Sequence, residues 1–366
     1  MPFNTIIVRY GEISLKGRNR GLFEDKLKEN IIRFLQAHAH PFAAVDVLRG
    51  RLYIRGISVL PELRKVLGVH SYSPAWEIAK DYEVLKDTAP AFIPQIRGQA
   101  NFRIVCQRTD KRFQPDSMTV EREIGERLRR ETGTPVRLQE AAFELHIEIG
   151  MRHIYLFTAK IKGPGGLPFQ TAGKLVVLFS GGIDSPVAAF LMMKRGVEPV
   201  LLHFEITAAQ TERVRKLKAK LEEFCAGFEL KLEVHPRADL FAGRFTELSR
   251  SHFGPYVCVL CKYLMHKKAN EIVRREGAWG VITGDNLAQV ASQTLKNLYA
   301  QRAAGEFPVY SPLIGFDKVE TIHLAREIGT YDLSIAVAEG CTPPRNPKTG
   351  VDFARLRQVL KATGLE

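Results

Sequence analysis

"LVVLFSGGIDSPVAAFLMMKRG" (175–196) decides the fold. An apolar run stops at Ser180-Gly181-Gly182-Ile183-Asp184-Ser185, and a helix-forming stretch follows at once. A buried strand that turns on glycines directly into a helix is one βα unit of a parallel sheet. Ser185 suits the helix N-cap, Pro186 the first helical position, and Gly196 the end of the helix. The glycines let backbone approach an anion closely, and the helix N-terminus behind them offers free N–H groups and a positive dipole end. The string is not a Walker loop, since no Gly-Lys-Ser/Thr closes it, and it is not GxGxxG. Downstream, "VEPVLLHF", "FELKLEVH" and "AWGVITG" repeat the strand pattern, with helical stretches such as "QTERVRKLKAKLEEFCAG" between them. This alternation predicts a doubly wound parallel α/β sheet whose ligand sits at the carboxyl ends of the strands.

Upstream the rhythm differs. "KGPGGLPFQTAGK" (162–174), with four glycines and two prolines, reads as a linker. Before it come short strands and helices in α+β order: "NTIIVRYG" as a strand, "FEDKLKENIIRFLQAH" as an amphipathic helix, "RLYIRG" as a strand. A second boundary is expected near residues 70–75, at "VHSYSPAW", before a further series that ends in "ELHIEIGMRHIYLFTAKI".

A chain of 366 residues should divide into two or three domains. With 45% apolar and 25% charged residues it has the composition of a soluble globular protein, and its apolar stretches fall short of a membrane span. The opening "MPFNTIIVRYGEISLKG" lacks the marks of a signal peptide, and five cysteines do not make a disulfide scaffold. A cytoplasmic location without membrane contact is the expectation. The net charge of +13 fits either a solvated basic surface or a polyanionic partner such as nucleic acid.

At this point the chain resembles a known family. "SGGIDS" looks like the pyrophosphatase-type loop (PP-loop) of enzymes that cleave ATP between the α- and β-phosphates. "IIVRYGEISLKGRNRGLFEDKLKENI" is similar to the ferredoxin-like opening domain of the tRNA 4-thiouridine synthetases, or tRNA uracil 4-sulfurtransferases. "NFRIVCQRTDKRFQPDS" (101–117) resembles their RNA-binding THUMP domain. "TGDNLAQVASQTLKNL" (283–298) and "SPLIGFDKVETIHLAREIGTYD" (311–332) are strings specific to the same family, although Gln170 stands where a glycine is common. The resemblance implies a ferredoxin-like domain over 1–72, a THUMP domain over 73–165, a linker over 166–174 and a PP-loop domain over 175–366. It also implies ATP-dependent transfer of sulfur to a tRNA uridine, position 8 in the family, with Mg²⁺ as counter-ion. Uracil O4 would attack the α-phosphate, and sulfur would then displace AMP from C4. A role in thiamine synthesis and two-fold assembly as a homodimer belong to the same expectation.

Several roles follow by position. Asp184 matches the family's essential loop aspartate, with Ser180, Gly181, Gly182 and Ser185 around it. Leu178, Phe179, His203, Phe204, Lys262, Gly284 and Gln293 match positions lining the ATP pocket, and Lys318 a lysine implicated in activity. Leu178, Phe179 and Phe204 also suit a core, and Lys318 a solvated surface. Positions 178–179, 203–204 and 284 fall at strand ends, so topology supports that group independently. Lys16, Arg18 and Arg20, and Arg108, Lys111 and Arg112, are candidates for tRNA phosphates, with Phe113 a stacking or core residue.

"PYVCVLCKYL" (255–264) holds two of the five cysteines. Cys341, in "AEGCTPPRNPKTG", matches the family's sulfur-handling cysteine. Many members add a rhodanese domain with a second persulfide cysteine; this sequence, ending at Glu366, shows none, so another sulfur route is expected. The resemblance to a subset with CxxC implies an iron–sulfur cluster held by Cys258, Cys261 and Cys341. If the CxxC is helical, both thiols share a face. Persulfide or disulfide chemistry at these residues remains open, as do zinc with His252 or His266, and plain packing. The donor would be sulfide or a cysteine desulfurase persulfide. Cys106 and Cys225 read as packing residues. Rival functions are an amide-forming PP-loop synthetase, which would not need Cys341, and a non-catalytic tRNA-binding protein, which would leave "SGGIDS" idle.

Overall fold

The structure is a computed structural model that describes residues 3–48, 50–336, 341, 344 and 346–366. The chain folds as two units, Met1–Gly166 and Leu167–Glu366. The first is built from β1 (Thr5–Arg9), α1 (Arg20–Ala37), β2 (Ala44–Leu48), β3 (Arg51–Arg55), β4 (Ser71–Ala79), α2 (Tyr82–Thr88), α3 (Ile93–Ile96), β5 (Phe102–Arg108), α4 (Ser117–Thr132), β6 (Phe143–Ile149), β7 (His153–Phe157) and β8 (Ile161–Lys162). Its sheet runs β2-β3-β1-β4-β7-β6-β5, with β8 on β4.

Two amphipathic helices cover this sheet. Leu27, Ile31, Phe34 and Leu35 of α1 recur at helical spacing and are buried beside β2. Val120, Ile124 and Leu128 of α4 recur every fourth residue and form a stripe against β5, and Asp116 caps that helix by accepting from the Thr119 N–H at 2.8 Å. Residues 71–75 of β4 pair with β1, and residues 76–79 with β7. The boundary expected near 70–75 therefore falls inside a continuous strand shared by both halves of the unit.

The second unit contains β9 (Lys174–Leu178), α5 (Asp184–Met193), β10 (Glu198–Glu205), α6 (Ala208–Glu222), β11 (Leu232–Pro236), α7 (Arg237–Leu240), α8 (Phe245–Arg250), α9 (Val257–Glu276), β12 (Val281–Ile282), α10 (Leu295–Arg302), β13 (Val309–Tyr310), α11 (Lys318–Glu327), α12 (Tyr331–Ile335) and α13 (Phe353–Thr363). Its five strands are all parallel, in the order β11-β10-β9-β12-β13. From β9 the chain winds outward to β11, then returns to β12 on the other side. The β9/β12 pair is the topological switch point, where a ligand crevice opens beyond the strand ends. The doubly wound sheet read from the strand–helix alternation is present.

Helix α9 is held from two sides. Ala269, Ile272 and Val273 pack with Val176, Val200 and Val281 of the sheet. Leu260 and Leu264, nearer its start, pack with Leu356, Val359 and Leu360 of α13. Gly277, at φ +60°, ends it in the left-handed conformation that favours glycine.

One buried amide ties the C-terminal segment down. Asn297 is fully buried; its Nδ2 donates to the carbonyls of Ala291 (2.7 Å) and Lys348 (2.8 Å), and its Oδ1 accepts from the Val351 N–H (2.9 Å). Asn297→Ala takes the side-chain partner from three backbone groups, of which the Val351 N–H is buried, and should cost about 2 kcal/mol, read as a lower urea midpoint at unchanged slope.

Candidate active site

The SGGIDS loop closes on itself. The Ser185 hydroxyl accepts from the Ser180 N–H (2.9 Å) and donates to the Ser180 carbonyl (3.1 Å), and the two hydroxyls lie 3.1 Å apart. Ser185 is therefore not the N-cap that the sequence suggested. Helix α5 starts two residues earlier than expected, at Asp184 rather than Pro186, with Ile183 at the cap position and no side-chain cap. The serine is spent on loop closure instead, and the first-turn amides of α5 keep no side-chain partner. A Cβ on Gly284, at the end of β12, would stand 2.9 Å from the Ser185 nitrogen and 3.0 Å from the Asp184 carbonyl carbon. Backbone cannot yield there, so only glycine lets the two strand-end loops meet.

Lys318 is the first residue of α11, where the helix dipole disfavours a cation. Its Nζ donates to Asp184 Oδ1 at 2.6 Å, which compensates that position and joins α11 to the loop. Leu178, Ser180, Asp184, Ser185, Lys262, Gly284 and Gln293 line one cavity of about 340 Å³. Phe179, His203 and Phe204 line an adjoining cavity of about 200 Å³ with Leu178 and Ser180. Gly181 and Gly182 form the outer turn of the loop, Gly181 against the Arg213 side chain. The expected nucleotide positions thus gather at one edge of the sheet.

Electrostatics inside the cavity centre on Asp285, which the sequence reading passed over although it follows Gly284 directly. Burial alone would raise its carboxyl, but Lys262 at 2.8 Å outweighs that and holds it down at about 2. Gln293 donates to it at 3.4 Å, and Arg302 lies 3.7 Å away. His266 is buried next to this group, and burial lowers it to about 4, so it is neutral. His203 is lowered by burial as well; its Nδ1 meets the Phe179 carbonyl at 3.0 Å and so donates. His203 Nε2, His266 Nδ1 and Gln293 Oε1 are buried without a hydrogen-bond partner. Orphaned buried polar atoms at two adjoining cavities call for a polar ligand.

Helix α9 presents the CxxC as expected of a helix, with Cys258 half-buried and Cys261 buried. Both line the 340 Å³ cavity, and so does Cys341 from the C-terminal segment. Burial pushes the Cys258 thiol up and the Cys261 thiol up to about 12. Among the described residues no three His, Cys, Asp or Glu side chains are gathered closely enough to hold a metal ion as they stand. Arg237, which no sequence signal marked, reaches Cys341 Sγ at 3.0 Å. His252 stacks on Phe253, with ring centroids 3.8 Å apart, and lines none of these cavities. Cys106 and Cys225 are buried packing residues.

The basic candidates of the first unit are differently placed. Arg18, Lys111 and Arg112 are exposed, although Arg112 also grips Asp110 at 3.1 Å. Lys16 lies over the Phe23 ring, Arg20 pairs with Glu24 at 2.8 Å, and Arg108 donates to the Phe113 carbonyl at 2.5 Å. Phe113 is half-buried against the α4 core. No helix among the described residues is long and apolar enough to cross a membrane.

A glycine-rich strand-to-helix loop that shares a cavity with three thiols suits an enzyme that activates a substrate through a nucleotide and then gives it sulfur. The chain belongs to the ThiI family, the tRNA sulfurtransferases. The model "Thiamine biosynthesis protein (ThiI)" matches residues 170–363, "ThiI ferredoxin-like domain" residues 5–73 and "THUMP domain" residues 79–159. A "probable tRNA sulfurtransferase" of Thermococcus kodakarensis is 37% identical, across 98% of this chain and 97% of its own. That of Methanothermobacter thermautotrophicus is also 37% identical, across 95% and 91%. A 4-thiouridine synthetase solved as an RNA complex with bound ATP superposes with a TM-score of 0.89 at 30% identity, covering 99% of this chain and 95% of that one.

The lowered His266 makes a pH prediction. The unfolded chain takes up this proton below about 6.5, while the folded chain resists it to about 4, so stability falls as pH drops through that window. Between pH 7 and pH 5 the loss should be about 2 kcal/mol, and His266→Gln should abolish that share in urea titrations at the two pH values.

Proposed function

We propose that ATP occupies the 340 Å³ cavity and its 200 Å³ annex, and that the chain uses it to adenylate O4 of a uridine in tRNA before sulfur replaces that oxygen. The observation that carries this reading is a single cavity wall shared by the Ser180–Ser185 loop and three thiols. A carbonyl oxygen leaves poorly until it is esterified to AMP, so activation and sulfur attack need adjacent sites. In this reading the free amides at the start of α5 take the charge that develops on the transferring phosphate. Lys318 holds Asp184 in place and adds positive charge as pyrophosphate departs. Mg²⁺ with the Asp184 carboxylate would complete the neutralisation. His203 Nε2 and Gln293 Oε1 are acceptors for the donor groups of the bound nucleotide or base. The exposed Arg18, Lys111 and Arg112 would meet tRNA phosphates, which position the RNA without reading its sequence. Uridine 8 as the target, a role in thiamine synthesis, dimeric assembly and a cytoplasmic location rest on the family resemblance.

Cys258, Cys261 and Cys341 suit a three-thiolate cluster site, because two lie one helical turn apart and all three face the same cavity. A cluster so held supplies an iron with an open position for sulfide. The competing reading is sulfur carried as a persulfide on Cys341 and released by disulfide formation, which needs only two of the same three thiols. Anaerobic purification with iron and sulfide analysis separates the two. Stoichiometric iron supports the cluster, whereas iron-free protein that thiolates fully from a persulfide donor refutes it.

Asp184→Asn should lower ATP- and tRNA-dependent pyrophosphate release at least about 100-fold whatever the sulfur route. Gly284→Ala should weaken ATP binding at least about 10-fold, because its new methyl meets backbone. Unchanged pyrophosphate release in both variants would overturn the nucleotide assignment.

A further inference from the structure

The three thiols line a second and larger cavity of about 690 Å³, on which the reading above places no reactant. Cys258, Cys261 and Cys341 are common to it and to the 340 Å³ cavity, so they form the partition between the two. The chemistry on the two sides differs. The nucleotide side carries the carboxylates Asp184 and Asp285. The second side carries Arg250, Ser249, Ser251 and Asn346, together with Arg237, which also reaches the edge of the 200 Å³ annex, and no carboxylate among its described lining residues. Arg237 is held rigidly: its guanidinium lies 4.0 Å from the centre of the Phe245 ring and donates to Cys341 Sγ at 3.0 Å. A planar cation fixed against an aromatic face, and aimed at sulfur, is built to hold a small soft anion beside that thiol.

We infer that this second cavity is the entry chamber for the sulfur donor, and that Arg237 positions an anionic terminal sulfur at the thiol partition while ATP and uridine occupy the other side. The inference rests on the proposed thiolation. Hydrosulfide and a carrier perthiolate share the recognised chemistry. With hydrosulfide, a bond forms from sulfur to C4, the C4–O4 bond breaks, AMP leaves with the oxygen and its electron pair, and the sulfur proton passes to N3. With a perthiolate, a second thiolate must also cleave the S–S bond, and an external dithiol reduces the disulfide that results. Delivery from the arginine side keeps the anion away from the ATP phosphates and both aspartates, which would repel it.

The test compares Arg237→Ala, Arg237→Lys and Ser249→Trp with the parent enzyme, purified anaerobically, in assays fed by sodium sulfide or by cysteine desulfurase and cysteine. Pyrophosphate release with tRNA reports activation separately, so failure of the adenylation reading shows itself there. Arg237→Ala should raise the KM for the donor about 10-fold, well beyond any change in the KM for ATP given that Arg237 also borders the annex, with Arg237→Lys recovering part of the loss. Ser249→Trp, which narrows only the second cavity, should act in the same direction. A shift in the sulfide assay identifies free hydrosulfide as the occupant, and a shift confined to the desulfurase assay identifies a carrier perthiolate. In chelator-stripped protein, Arg237→Ala should also lower the rate of Cys341 alkylation by iodoacetate relative to neutral iodoacetamide several-fold. Unchanged donor KM in both assays, or loss of pyrophosphate release in Arg237→Ala, overturns the inference.

Discussion

The active end of the second unit depends on one close approach. Gly284 brings the loop after β12 against the first turn of α5, so near that a Cβ would meet the Ser185 nitrogen at 2.9 Å. Without that contact the β9 and β12 loops would be separate features of a sheet edge. With it they form one floor, and the hydroxyl pair of Ser180 and Ser185 sets its curvature. Lys318 then fastens α11 to the same turn through Asp184. Three segments far apart in sequence are thereby fixed to within a hydrogen bond of each other. Such precision is what in-line attack on a phosphate demands.

A second constraint acts through α9. Its far end is clamped to the sheet and its near end to α13, so the residues between them have no freedom to swing. Cys258, Cys261, Lys262 and His266 all project from that clamped stretch. Lys262 keeps Asp285 ionised in a buried place where burial alone would favour the neutral acid. His266, beside it, stays neutral, so the cavity's internal charges remain balanced across ordinary pH. An arriving polyphosphate therefore meets a fixed electrostatic field rather than one that must rearrange.

Much of this was legible in the sequence. The apolar strand before SGGIDS, the alternation after it and the strand-end positions of His203 and Gly284 announced a parallel sheet and its ligand edge, because burial and periodicity leave marks that local reading can follow. The helical CxxC was also legible. Ser185 misled, since serine before a helix is an equally good cap or loop-closing hydroxyl and only three-dimensional neighbours choose between them. The segment at 70–75 reads as a break because of its serines and proline, yet it lies in one strand that pairs with β1 over residues 71–75 and with β7 over residues 76–79. Arg237 and Asn297 left no signal at all. Their partners, Cys341 and the 348–351 backbone, lie on a segment whose return is set by tertiary packing.

The thiols also account for the site's division into two sides. Adenylation needs a surface that attracts polyphosphate through amides and lysines and holds carboxylates for a metal counter-ion. Sulfur arrives as an anion that those same carboxylates and phosphates repel. In the proposed scheme the cysteines stand between a carboxylate-bearing cavity and one lined by Arg237 and Arg250, and each reactant would meet them from the side whose charge suits it. Burial adds to the separation. A Cys261 thiol pushed up to about 12 is a poor nucleophile by itself.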